Sequence, residues 1–251
     1  MTALENSATR RGPVSRPGFE APIPMILSLS RPLVFLDFET TGLDTQRDRI
    51  VELAFVRLMP DGSRESLVRP VNPGIAAMSK GATRVTGIHT NDACGLFGDG
   101  GKRPAQPLRK IGPELVDFLA DSDLAGFNQI AYDIPLWLAE CQRHGISFEL
   151  KSRRQVDVRV LFNVCETGWD RFLMGPRNLS AAVRHYCGRE LEGAHSAEAD
   201  THATVDVLLA QLQRHQELPR DVAGLGEFCA RNSERNRDDE PAATKEGGAT
   251  A

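Results

Sequence analysis

Residues 33–38 form a short, mostly apolar run of buried-strand type, which Thr40-Thr41-Gly42 closes as a turn. Residues 49–58 alternate, with Ile50, Leu53, Phe55 and Leu58 apolar. Asp61-Gly62 then reads as a hairpin turn into a third strand over 64–71. Beyond these, the spacing predicts a helix over 111–119, a strand over 124–127 and a helix over 135–143. A short strand over 155–158 continues as a helix over 158–166, and 178–186 and 196–215 read as two more helices. A final short turn of helix extends to Phe228. Three strands followed by alternating helix and strand predict an α/β layer fold around a mixed sheet.

The ends of the chain lack this patterning. Residues 1–30 are rich in Pro, Ser and Arg and read as a flexible arm, and 231–251 read as a disordered tail. One domain over 31–230 lies between them. Segment 94–110 carries Gly and Pro with Lys102, Arg103, Arg109 and Lys110, and reads as a mobile, solvated insertion. No stretch approaches the roughly 18 apolar residues of a membrane span. Arg10-Arg11 is followed by an apolar run over 23–29 too short, and broken by Pro24, to read as an export signal. Five cysteines without a C-x-x-C pair fit a reducing cytoplasm.

Net charge at first argues against a polyanionic substrate, at −4 for the chain. The segment 32–216 carries 21 basic and 24 acidic residues, and four of those acids are candidates to hold divalent cations. With cations bound, the local field inverts and the objection falls away.

Asp37 and Glu39 stand two apart at the end of the first strand, so both side chains face the same way. No Lys or Arg on that strand compensates them, which suits a hard cation; a solvated strand end is the alternative. Asp133 follows a strand and precedes a helix, where an ordinary N-cap is an equal reading, and Asn128 reads equally as a turn residue. Asp200 shares a helical stripe with Thr204, Val207 and Leu208, on a face turned toward the sheet. His195, just ahead of that helix, has a side-chain type suited to general-base work, although a surface histidine is the commoner case.

Taken in order, F-L-D-F-E-T-T-G-L-D, G-F-N-Q-I-A-Y-D-I-P-L and H-S-A-E-A-D resemble the three motifs of the DEDDh exonucleases, over about residues 31–230. Lesser matches are R-I-V-E-L-A (49–54), V-T-G-I (85–88), Q-V-D (155–157) and N-L-S-A-A (178–182). The resemblance implies an RNase H-like fold with a five-stranded mixed sheet flanked by helices. It implies that Asp37, Glu39, Asp133 and Asp200 hold two divalent cations, Mg²⁺ or Mn²⁺, and that His195 deprotonates the attacking water. Thr40 and Leu43 lie where the family holds the 3′ end and wedges the last base, and Asn128 would help shape the pocket. The expected activity is 3′-to-5′ removal of 5′-mononucleotides, from single-stranded or frayed DNA ahead of RNA. Two departures are plain: Phe127 stands where many relatives have His, and one extra residue precedes Asp133. The second moves the likeness away from the polymerase-bound epsilon subunit toward stand-alone trimming enzymes, so a polymerase partner is not favoured. A decayed, binding-only module is the remaining alternative; the full set of four carboxylates and a histidine speaks against it.

Overall fold

The computed structural model describes residues 26–74, 76–89 and 105–233. Strands β1 (Leu33–Thr40), β2 (Ile50–Leu58) and β3 (Arg64–Asn72) form an antiparallel meander. Strands β5 (Asp123–Gly126) and β6 (Gln155–Asp157) extend it in parallel beyond β1, and a two-residue β4 (Gln106–Pro107) pairs with β3. The order is β4-β3-β2-β1-β5-β6, six strands where five were expected. The added strand is an edge of two pairs, too short to leave any alternation in the sequence.

Helix α1 is Lys80–Thr86, α2 Leu108–Leu119, α3 Asp133–His144 and α4 Val158–Cys165. Then come α5 (Arg171–Met174), α6 (Leu179–Ala182), α7 (Ala197–Arg214) and α8 (Val222–Asn232). Alternation along β1 sorts the core into two halves. Val34, Leu36 and Phe38 pack with Leu115, Leu119, Leu136 and Trp137 from α2 and α3. Leu33 and Phe35 turn to the other face, against Val160, Leu161, Val205 and Leu208 from α4 and α7. Asp37 and Glu39 continue that second row, so the strand's own pleat aims them at α7.

Several expected boundaries shift. Leu27 and Leu29, inside the expected arm, are buried in the α7 side of the core, and Ser28 bridges to Asp221. Arg31 then pairs with the buried Asp123 at the start of β5. Residues 1–25 of that arm lie outside the described residues, as do 234–251 of the tail and 94–104 of the insertion. The insertion's last residues are β4 and the first turn of α2, where Lys110 Nζ donates to Gln106 Oε1 at 2.7 Å. The helix expected over 178–186 is α6 followed by a π turn, Val183–Cys187, which ends at Gly188 with φ 66°. The short turn expected to end at Phe228 is the eleven-residue α8, capped by Asp221 Oδ1 on the Gly224 N–H at 2.9 Å.

Candidate active site

Three elements deliver the carboxylates. Asp37 and Glu39 come from β1, Asp133 opens α3, and Asp200 sits in the first turn of α7. Ligand oxygens of Asp37, Glu39 and Asp200 lie within 4.8 Å of one another. Asp133 is buried and close enough to Asp37 to act on its ionisation. Among the described residues, none of the four forms an ion pair with Lys or Arg. The buried Oδ1 of Asp200 has no hydrogen-bond partner.

The electrostatic consequence is strong. Burial, then Asp133, Asp200, Glu39 and Glu52, raises Asp37 well above the usual carboxylate range. Burial also pushes Glu39 up to about 8, with Asp200, Glu52 and Asp133 adding to it. Asp133 is likewise pushed up to about 8, mainly by burial and in part by Asp157, against backbone hydrogen bonds that lower it. Asp200 is raised by burial, which the His195 N–H and the His195 charge partly offset. So many carboxylates, buried or half-buried and without a basic partner among the described residues, are unfavourable without positive charge, and the all-oxygen donor set fits hard divalent cations.

This yields a pH dependence. Between about pH 5 and about pH 8 the unfolded chain has lost these protons while the folded one still holds them, so stability falls as pH rises. Glu39→Gln removes one contributor. In EDTA its melting temperature should therefore gain on the parent's as pH rises through that window, and Mn²⁺ should shrink the difference. A gap independent of pH, read by scanning fluorimetry, would contradict the electrostatic account.

Local structure explains how each group is held. The buried Asp157 carboxylate accepts from the N–H groups of Asn128 (3.0 Å) and Ile130 (3.1 Å), and also caps α4 through Arg159 and Val160. It thereby fixes the loop that ends at Asp133. Asn128 takes φ 70°, as a turn residue can, and its carbonyl accepts from Ala131 and Tyr132. Its side chain does not line the cleft described next.

That cleft, of about 330 Å³, lies beside Glu39 and includes Thr40, Leu43, Val85 and Tyr132 in its walls. The oxygens of Thr40 Oγ1, Tyr132 Oη and the Gly42 carbonyl lie 2.6–2.7 Å apart, joining the end of β1 to the start of α3. Gly42 is required here, because a Cβ would stand 2.6 Å from Asp48 Oδ2. Asp48 in turn holds Thr41 Oγ1 and the Asp44 N–H, and Leu43 projects from the tight turn with 86% of its surface exposed.

His195 is exposed, has φ 68°, and donates its backbone N–H to Asp200 Oδ2 at 3.3 Å. The expected residues of β1, α3 and α7 thus converge, with His195 beside them. Elsewhere on α7, His202 bonds to Ser66, and Asp206 to Arg64 and Arg189.

Two contributors were not singled out from the sequence. Glu52 pairs across the sheet with Glu39, and its Oε2 accepts the Ala197 N–H at 3.3 Å, tying the start of α7 to β2. The R-I-V-E-L-A match pointed to the segment without giving this residue a role. Tyr132 is the other, and its only signal was an aromatic side chain directly before Asp133.

A model of the RNase T exonuclease family matches residues 34–208. The chain belongs to this exonuclease family. Escherichia coli exonuclease I in complex with a dA16 oligonucleotide shares the fold, with a TM-score of 0.62 at 18% identity over 83% of this chain and 45% of that one. Exonuclease I from Methylocaldum szegediense aligns with a TM-score of 0.62 at 18% identity, again over 83% and 45%. The zinc-bound E. coli exonuclease I–ssDNA complex gives 0.60 and 18%, over 74% and 41%. This exonuclease therefore spans less than half the length of those chains. No curated protein matches it.

Proposed function

We propose that this exonuclease removes nucleotides singly from the 3′ ends of single-stranded or frayed nucleic acid, DNA favoured, releasing 5′-mononucleotides with two divalent cations, Mg²⁺ or Mn²⁺. The observation that carries this is the gathering of buried and half-buried acidic oxygens from three elements, with no basic side chain among the described residues to pair them. Asp37, Glu39, Asp133 and Asp200 would hold the cations. When bound, such ions supply positive charge against the scissile phosphate and its leaving oxygen.

The chain's own groups would do the rest. His195, on an exposed segment beside Asp200, would take the proton of the attacking water on a ring nitrogen. Asp200, accepting the His195 N–H, would keep that segment near the acidic cluster. Thr40 and Tyr132 hydroxyls beside Glu39 would bond the terminal sugar. Leu43, apolar yet mostly exposed, would pack on the last base, which offers any side chain a π-face. Asn128 would act through the turn that Asp157 holds rather than through direct contact. The cleft's volume suits one terminal nucleotide, which favours a free strand end over a paired one.

DNA is favoured because exonuclease I, of the same fold, has been solved with a deoxyadenosine oligonucleotide and with ssDNA. RNA trimming is the alternative, since a 2′-OH contact depends on pocket detail. The four described cysteines are all free, which suits a reducing cytoplasm, and no described helix is long and apolar enough to cross a membrane.

Matched 5′-labelled single-stranded DNA, duplex DNA and RNA digested side by side test this reading. Single-stranded DNA should shorten fastest, duplex slowly and only from frayed 3′ ends, and RNA slowest. RNA consumed faster than DNA would move the assignment to an exoribonuclease, and internal cuts would overturn it.

A further inference from the structure

Far from the acidic cluster, a second group of ligand-bearing side chains collects where α4 and α7 end and the link to α8 begins. Cys165 is the last residue of α4, His215 follows α7, and Glu217 lies in the link to α8. Their ligand atoms lie within 4.8 Å of one another. Along α7, His215 stands about 22 Å from Asp200 at 1.5 Å per residue.

The imidazole of His215 has a carboxylate at each ring nitrogen. Nε2 is 3.2 Å from Glu166 Oε1 and Nδ1 is 3.2 Å from Glu217 Oε1. A neutral imidazole has only one N–H. If Nε2–H serves Glu166, the Nδ1 lone pair and a Glu217 oxygen confront each other, with Cys165 in the same cluster. A cation resolves that confrontation. The arrangement then matches a metal-binding histidine whose other nitrogen is oriented by a carboxylate. Glu166 is itself held, by His185 Nε2 at 2.9 Å and Arg214 Nε at 3.6 Å.

We propose that Cys165 Sγ, His215 Nδ1 and a Glu217 oxygen form a site for one borderline-soft divalent ion of the zinc type, with Glu166 as the orienting carboxylate. Sulfur, imidazole and carboxylate together select zinc-like ions over magnesium or calcium. Binding replaces the thiol proton, which leaves to solvent as the S–metal bond forms. The thiolate, Glu166 and Glu217 are then balanced by the ion and the Arg214 guanidinium. Joining the ends of α4 and α7 to the start of α8, the ion acts as a structural clip and takes no part in hydrolysis.

Cobalt(II) separates this site from the catalytic one, because only a thiolate ligand gives a near-ultraviolet charge-transfer band and the four catalytic ligands are carboxylates. Reduced full-length protein, stripped with EDTA and desalted, should develop that band with one equivalent of Co²⁺ and lose it to one equivalent of Zn²⁺. Zn²⁺ should raise the melting temperature by several degrees. Cys165→Ser and His215→Ala should abolish the band with far-ultraviolet circular dichroism and exonuclease rate unchanged. Should either variant fail to fold, Glu217→Gln at an exposed position should still weaken Co²⁺ binding about tenfold or more. Absence of the band in the parent, its survival in Cys165→Ser, or parent-like Co²⁺ affinity in Glu217→Gln would overturn the proposal.

Discussion

Asp200→Asn is expected to lower kcat by roughly 10³-fold or more without destabilising the protein. A bound cation contributes several kcal/mol to the transition state, and each 1.4 kcal/mol or so is tenfold in rate. Asparagine keeps the size of the side chain and can still accept the His195 N–H, but it removes one anionic donor from the cluster of Asp37, Glu39 and Asp200. In the metal-free protein that carboxylate is held above its usual range by burial, and its Oδ1 lacks a partner. Loss of the charge should therefore leave the melting temperature in EDTA equal or higher. Near-parental turnover would contradict the role given to Asp200. Lost turnover with a collapsed melting temperature would mean that the residue is structural.

His195→Ala is expected to cost roughly 10²–10⁴-fold in kcat, the usual worth of a positioned acid or base. Substrate affinity should change little, because the side chain is exposed and the backbone N–H that meets Asp200 is retained. A parent-like rate across neutral pH would remove His195 from the mechanism. A matching loss of affinity would make it a binding residue.

Much of this was legible in the sequence, and the exceptions have physical causes. The pleat of β1 follows from alternation, which puts Asp37 and Glu39 on the face that meets α7. The stripe containing Asp200 likewise follows from helical period. Helix α1 was missed because it buries no residue, so no apolar stripe marks it. Helix α8 runs to Asn232, past the Phe228 expected, and holds Gly224 and Gly226, which look like breakers. Gly224 instead serves the cap, donating its N–H to Asp221, and a Cβ there would stand 2.6 Å from Pro219. Leu27 and Leu29 were hidden in a Pro-rich stretch; their burial depends on the pairing of Ser28 with the α7–α8 link, a contact between residues almost 200 apart. Glu52 was missed for a related reason. Only cross-strand register, Glu39 against Glu52, brings it to the acidic cluster.

Whether these carboxylates work only with divalent cations is read from one time course. A 5′-labelled single-stranded oligonucleotide is incubated with the protein in Mg²⁺ or Mn²⁺, in EDTA, and in EDTA followed by excess metal. The expected result is a ladder shortening stepwise from the 3′ end with metal, intact substrate in EDTA, and recovery when metal is restored. Undiminished cleavage in EDTA would contradict it.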